Sequence, residues 1–163
     1  MKQVQQIIGR RPVVLGLLAL FPLVGAFLVR NTAFAHQNGS PLTPGTYTGT
    51  NTATSGPMAG QAEPVTLTFN ADGTMSSTVP TSGLSGQGYW WVVNVQGNVA
   101  VNVSFRVILP PGAVPGATDV QVIHSITDFG HNGTTLTSQG RSLIYNSGTP
   151  LAITQSTAQV TLQ

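Results

Sequence analysis

The most regular feature of the chain is a one-for-one alternation of apolar and polar residues. It is clearest from Val99 to Leu109, where every second residue is valine, phenylalanine or leucine. Because successive side chains of a β-strand point to opposite faces, this pattern predicts a strand with one buried face. Residues 64–69 alternate in the same way and lead into the turn Asn70–Gly73, where Gly73 can adopt a positive φ.

Turn-forming residues divide the rest of the chain into further short extended segments. The stretch from Phe69 to Val95 indicates two strands joined by a tight turn, then a Gly/Ser loop and a strand carrying Trp90 and Trp91. Outside the N-terminal region, no segment shows sustained apolar recurrence at helical spacing. Strands are predicted at residues 45–50, 64–69, 74–79, 89–95, 99–109, 119–129, 134–139, 141–146 and 151–162.

The short connections between these segments favour pairing of each strand with the next one along the chain. Eight or more twisted strands tend to close on themselves or to split into two packed sheets. We therefore predict an all-β fold, namely an antiparallel up-and-down barrel of eight or nine strands, preceded by an N-terminal signal peptide helix. A β-sandwich is the alternative.

The N-terminal region has a different pattern. A basic start, an apolar run at residues 13–29 and the small-x-small sequence Ala33-Phe34-Ala35 are the three regions of a secretory signal peptide. An uncleaved membrane anchor is the alternative, because the apolar run has the minimum length for a span. Either reading places the domain outside the cytoplasm, secreted or in the cell envelope. The predicted organisation is a signal peptide at 1–35, a flexible tether at 36–44 and a β-barrel domain at 45–163.

The distribution of charge excludes several classes of function. The formal net charge is +2, but from His36 onward the only basic residues are Arg106 and Arg141, against all four acidic residues of the chain. A nucleic-acid partner is not predicted, because such proteins need a basic footprint to neutralise phosphates. The absence of cysteine excludes disulfides, thiolate nucleophiles and iron–sulfur clusters.

Candidate catalytic and metal-binding residues are few. His124, Asp128 and His131 form the one sequence cluster of candidate ligands. His124 and Asp128 would face the same side of a strand about 13 Å apart, which is too far for a hydrogen bond between a base and its orienting acid. No catalytic residue, metal site or cofactor is predicted.

Aromatic residues are the main candidates for contact with a ligand. Because Trp90 alternates with its neighbours Tyr89 and Trp91, it must point to the opposite face from both. The inward aromatic either fills the barrel or lines a cavity. Arg106 lies opposite Phe105 in the alternation and is predicted on the surface or in a cross-strand pair. The candidate ligand-binding residues are Tyr89, Trp90, Trp91, Phe105, His124 and Tyr145.

Two segments resemble known barrel families. Residues Leu67–Thr74 and Gly86–Trp90, followed by a long valine-rich strand, resemble small exported bacterial proteins of the lipocalin-like (calycin) type. In the C-terminal region, Gln139–Tyr145, Leu151–Thr154 and Gln159–Gln163 are similar to the end of allene oxide cyclase-like barrels. Both resemblances imply an antiparallel barrel, and neither assigns a catalytic residue here, since a fold alone does not determine function.

These observations predict an exported, non-enzymatic barrel that binds a small apolar or amphipathic ligand in its interior. A structural or interaction module of the cell envelope with a filled core is the alternative, and a barrel cyclase or isomerase is the third. The expected partner is a small hydrophobic molecule, and membrane contact is expected only through an uncleaved N-terminal segment. The sequence does not predict an oligomeric state.

Overall fold

A computed structural model describes residues 41–56 and 58–163 of the protein. These residues form a closed barrel of eight strands in chain order, which confirms the all-β, antiparallel, up-and-down prediction. The predicted signal peptide at 1–35 lies outside the described residues. Within the described residues there is no helix with the length and hydropathy needed to span a bilayer. The strands are β1 (Gly45–Ala53), β2 (Ala62–Phe69), β3 (Thr74–Val79), β4 (Leu84–Val95), β5 (Asn98–Ile108), β6 (Asp119–Asp128), β7 (Thr135–Asn146) and β8 (Thr149–Leu162).

The strand count is eight because two predicted segments, 134–139 and 141–146, form the single strand β7. Gly140, which separated them in the sequence, continues the strand and pairs with His124 of β6. A Cβ atom at this position would lie 2.1 Å from the Ile123 carbonyl oxygen and 2.6 Å from the His124 Cα. Gly140 therefore allows β6 to approach closely and does not mark a turn.

The barrel closes through pairing of its first and last strands. Residues Tyr47 to Ala53 of β1 pair antiparallel with Leu162 to Ser156 of β8. Every other strand pairs with its neighbours in sequence. All eight strands therefore have two hydrogen-bonded neighbours, and the sheet has no open edge over the paired residues.

The up-and-down connectivity places alternate connections at opposite ends of the barrel. We call the end bearing the connections after β1, β3, β5 and β7 the open end. The other end, with the connections after β2, β4 and β6, is the closed end. Residues 41–44 precede β1 at the closed end, where Leu42 is almost completely buried with the core. The proline-rich loop predicted at 110–117 joins β5 to β6 and lies at the open end.

Three aromatic side chains fill the closed end, and we call them the aromatic plug: Tyr47, Phe69 and Trp90. Phe69 contacts the other two edge-to-face, with ring centroids 5.5 Å from Tyr47 and 6.2 Å from Trp90. None of the three is more than 1 % exposed. Edge-to-face contact is the favoured geometry of aromatic pairs and adds to the hydrophobic gain from burial.

Hydrogen bonds fix the polar atoms of the plug to the backbone. The Trp90 Nε1–H donates to the carbonyl oxygen of Asn70, 2.9 Å away, in the turn after β2. The Tyr47 hydroxyl lies 2.7 Å from the carbonyl oxygens of both Thr43 and Gly133. The plug thereby ties together the segment before β1 and the connections after β2 and β6, and no buried polar atom of these rings lacks a partner.

Candidate functional site

The interior of the barrel contains a cavity of about 180 Å³ between the aromatic plug and the open end. Phe69 belongs to both regions, since it packs in the plug and also lines the cavity. All eight strands contribute to the wall. The cavity is lined by Asn51, Glu63, Val65, Leu67, Phe69, Ser77, Val79, Leu84, Val103, Phe105, Val107, Leu109, Val120, Val122, His124, Ile126, Leu136, Ser138, Ser142, Ala158 and Val160.

Most of this wall is aliphatic because the inward positions of β5 and β6 carry valine. Val103, Phe105 and Val107 alternate along β5, and the paired β6 residues opposite Phe105 and Val107 are Val122 and Val120. Branched side chains of this size leave space at the centre of the barrel that larger residues would fill. The valine-rich alternation read from the sequence thus corresponds to the wall of a cavity.

The inward row of β4 also widens this part of the barrel. Gly86 and Gly88 occupy consecutive inward positions between Leu84 and Trp90. A Cβ atom at Gly88 would lie 2.0 Å from the Ser104 carbonyl oxygen and 2.5 Å from the Cα of Phe105. Only glycine fits this close approach of β4 to β5, and two inward positions consequently lack a side chain.

One buried histidine lies in the wall. His124 is 5 % exposed, with its Nδ1 3.0 Å from the Ser138 hydroxyl and its Nε2 2.9 Å from the Ser156 hydroxyl. Both serines are on neighbouring inward positions, Ser138 on β7 and Ser156 on β8. Burial lowers the pKa of His124 to about 4 from an ordinary value of 6.5. The imidazole is therefore neutral at pH 7, with one nitrogen donating to a serine and the other accepting from a serine.

The His124 cluster has the contacts of a structural polar network. No carboxylate of the described residues contacts the imidazole, and the neutral ring uses its one N–H to donate to one serine while its other nitrogen accepts from the second. The described part of the chain contains no group of three or more His, Cys, Asp or Glu side chains that could hold a metal ion. Asp128, another candidate ligand from the sequence, is exposed and accepts a hydrogen bond from the Gly130 backbone N–H at 3.0 Å.

Two further serines contribute hydroxyl groups to the cavity. Ser77 of β3 is 5 % exposed, and Ser142 of β7 is half-buried. Neither hydroxyl has a hydrogen-bond partner among the described residues, and both side chains line the cavity. The cavity therefore has an apolar wall with a small number of hydroxyl groups available to a ligand.

The charge around the cavity is negative and confined to its rim. Glu63 is the one charged residue in the lining described above, and it is exposed. Arg106 points outward, where its Nε donates to Asp119 at 2.8 Å, which confirms the predicted cross-strand pair. Hydrogen bonds from Thr118 and from Arg106 lower the pKa of Asp119, which is therefore ionised at pH 7.

The residues predicted to contact a ligand are found in three environments. Phe105 and His124 line the cavity, whereas Trp90 is in the aromatic plug. Tyr89 is 57 % exposed on the outer face, and Trp91 lines a shallow outer depression with Asn102 and Gln139. Tyr145 is half-buried at the end of β7, where its carbonyl oxygen accepts a bond from the Thr118 backbone N–H. The structure brings only Phe105 and His124 together.

The serines of the interior were not predicted from the sequence. Ser77 shares its face with Met75 and Val79, and Ser138 shares its face with Leu136, so strand parity alone could have placed them inside. That signal was weak because serine and threonine also occupy the outward positions of the same strands.

The chain matches no protein-family model, no curated protein sequence and no solved structure.

Proposed function

We propose that the protein is an exported barrel that binds a small apolar or amphipathic molecule in the cavity at the open end. The observation that carries this proposal is the cavity of about 180 Å³, bounded by valines, Phe69 and Phe105. Apolar cavities of about 150 Å³ stay dry and accept benzene. An apolar cavity of this size, in a domain whose opposite end is closely packed, supports a role in binding a small molecule.

The cavity volume limits the size of the ligand. Sites for drug-sized molecules measure about 300–1,000 Å³, so a volume of about 180 Å³ fits one ring or a short branched chain. The lipocalin-like resemblance supports binding inside a closed eight-strand barrel. The signal peptide pattern at residues 1–35 supports export, which places the expected ligand outside the cytoplasm.

Two other functions have some support. A cell-envelope module with a filled core is favoured by the tightly packed closed end and by a cavity below about 300 Å³. A cyclase or isomerase is favoured by the position of His124 beside an apolar cavity. Because both ring nitrogens are already hydrogen-bonded to serines, this histidine is a weaker candidate for proton transfer than for structural stabilisation.

The test is a titration of the isotope-labelled protein with toluene, followed through the methyl NMR signals of valine and leucine. Neither tryptophan lines the cavity, so methyl groups are better reporters than indole fluorescence. We expect saturable shifts concentrated on Val103, Val107 and Val122, and unchanged toluene on recovery. Chemical conversion of a bound ring compound would instead support the isomerase.

Val122→Phe places a ring in the cavity and is expected to abolish these shifts. The matched control is Ile123→Phe, because Ile123 is the next residue of β6 and faces the outside of the barrel. Absence of saturable shifts in the wild-type protein, or equal shifts in Val122→Phe, would refute the binding function and favour the filled-core module.

A further inference from the structure

We propose that the ligand is uncharged and carries one hydroxyl or carbonyl oxygen, which hydrogen-bonds to the Ser77 hydroxyl, and that carboxylates are excluded. This inference rests on the proposed binding function and adds the chemical class of the ligand. It follows from two observations: the Ser77 hydroxyl has no hydrogen-bond partner among the described residues, and none of the described residues that line the cavity is a cation.

Ser77 contributes to the cavity wall a hydroxyl with unused hydrogen-bonding capacity. Its side chain is 5 % exposed and lines the cavity, yet its hydroxyl has no partner among the described residues. In contrast, the buried hydroxyls of Ser138 and Ser156 both bond to His124. Among the described residues no buried side-chain oxygen or nitrogen lacks a partner, so the unpaired Ser77 hydroxyl is still accessible from the cavity, where a ligand oxygen can reach it.

The chemistry of a hydroxyl defines the complementary group. Serine can both donate and accept a hydrogen bond, so a ligand hydroxyl or carbonyl oxygen can pair with Ser77. The surrounding side chains include Leu67, Val79 and Leu84, which can contact only the apolar part of a ligand. The complementary molecule is therefore a ring or short chain with one oxygen-bearing group.

The arrangement of charges excludes an anionic ligand. Arg106 pairs with Asp119 on the outer face, and Arg141 lies in the outer depression with Gln139 and Gln155. His124 bonds through both ring nitrogens to serines. Within the described residues no cation lines the cavity, and a carboxylate inside it would lose its hydration without a compensating charge.

The rim adds to this preference. Glu63 is exposed at the cavity lining and adjoins Asn51, its partner in the β1–β2 pairing. A carboxylate entering the cavity would approach this negative charge, whereas a neutral molecule would not be repelled. The negative rim does not repel an uncharged ligand, whether that ligand donates or accepts a hydrogen bond.

The experiment measures dissociation constants for four probes: toluene, phenol, benzamide and benzoate. Wild-type protein is compared with Ser77→Ala and with Ser76→Ala, a control on the adjacent outward position of β3. One lost hydrogen bond corresponds to about a 2- to 12-fold change in affinity. We expect Ser77→Ala to weaken phenol binding by this factor, with toluene binding unchanged or tighter. Ser76→Ala should change neither.

Benzamide and benzoate have nearly the same shape, so their comparison isolates charge. We expect benzoate to bind at least about tenfold more weakly than benzamide, since an unpaired buried charge costs more than a neutral polar group. Ser77→Cys, which keeps the side-chain shape with a weaker donor, provides a second variant with the same expected loss for phenol. Retained toluene binding demonstrates that each variant is folded.

The outcomes are distinct. Equal phenol affinity in wild type, Ser77→Ala and Ser77→Cys overturns the anchoring role of Ser77 while the cavity function stands. Equal affinity for benzamide and benzoate overturns the exclusion of carboxylates. Failure of toluene, phenol and benzamide to bind the wild-type protein overturns the cavity function, and this inference with it.

Discussion

The two ends of this barrel are built from the same eight strands but have different interiors. At the closed end, the inward positions carry Tyr47, Phe69 and Trp90, which contact one another and bond to the backbone. Towards the open end, the inward positions carry mostly valine, serine and glycine, and a cavity of about 180 Å³ remains. The closed end is therefore closely packed, whereas side chains do not fill the interior towards the open end.

This difference separates a closely packed region from a cavity within one barrel, and the proposed binding function uses only the cavity. Close-packed aromatics give large burial and fixed geometry, whereas a cavity forfeits contacts between the side chains that line it. Because the plug is closely packed, the barrel can tolerate the loss of side-chain contacts around the cavity. This difference in packing predicts that substitutions at the closed end lower the free energy of unfolding more than substitutions around the cavity.

The largest expected effect is removal of the largest side chain of the plug. Trp90→Ala should lower the free energy of unfolding by about 3–5 kcal/mol, because it leaves a cavity in a fully packed region and removes an edge-to-face contact. Denaturant unfolding measures the loss. Trp91→Ala, the adjacent outward tryptophan, is the control and should cost about 1 kcal/mol. Similar losses for the two variants would contradict the division between interior plug and outer wall.

Added volume should be tolerated only towards the open end. Val101 is 0 % exposed and does not line the cavity, so Val101→Phe should cost up to about 3 kcal/mol through overpacking. Val122→Phe has space to enter and should cost less than about 1 kcal/mol. Thermal and denaturant unfolding compare the pair. Equal destabilisation would mean that the cavity does not accept a ring.

The histidine in the cavity wall should make stability depend on pH. Since the pKa of His124 is about 4 in the folded protein and 6.5 when unfolded, the unfolded chain binds the proton more tightly. The contribution of neutral His124 to the free energy of unfolding is fully present well above pH 6.5 and is lost as the pH falls towards 4. We expect a loss of about 2 kcal/mol between pH 8 and pH 5.

The His124 variant and its control identify the source of this pH dependence. His124→Gln should remove most of the difference between pH 8 and pH 5, whatever its effect on absolute stability. His131→Gln alters an exposed residue of the connection after β6 and should leave the difference intact. Denaturant unfolding at the two pH values gives the comparison. A pH dependence that survives in His124→Gln would disprove the assignment.

The smallest expected effect concerns the hydroxyl of the plug. Tyr47→Phe keeps the packed ring but removes the group that bonds to the Thr43 and Gly133 carbonyl oxygens. We expect a loss of about 1 kcal/mol in unfolding free energy. Tyr89→Phe, on the exposed outer face, should change it by less than about 0.5 kcal/mol. No difference between the two tyrosines would argue that the hydroxyl does not fix the closed end.

Much of the fold was predictable because strand alternation and turn residues are local signals. The alternation at Val99–Leu109 identified β5, and Asn70–Gly73 identified the β2–β3 connection. The less predictable strand was β8, which has 14 residues. Its inward positions include Thr154, Ser156 and Ala158, so small and polar residues replace the expected apolar alternation.

The candidate site was only partly predictable because it depends on contacts between distant strands. Residue type alone points to Phe105 and His124, and both line the cavity. Residue type also points to the tryptophans, but which end of the barrel Trp90 fills depends on its partners Asn70 and Phe69. The pairing of His124 with two serines likewise requires the β6–β7–β8 register, which no local pattern specifies.

The β1–β8 seam has a consequence for folding kinetics. Neighbouring hairpins, including β1–β2, can form as soon as both of their strands are available, but the second edge of β1 must wait for β8. Until then, β1 and the growing end of the sheet expose unpaired backbone groups that other chains can pair with. Closure of this long-range pairing should therefore set a slow folding rate. The period before closure is when the protein is most prone to aggregate.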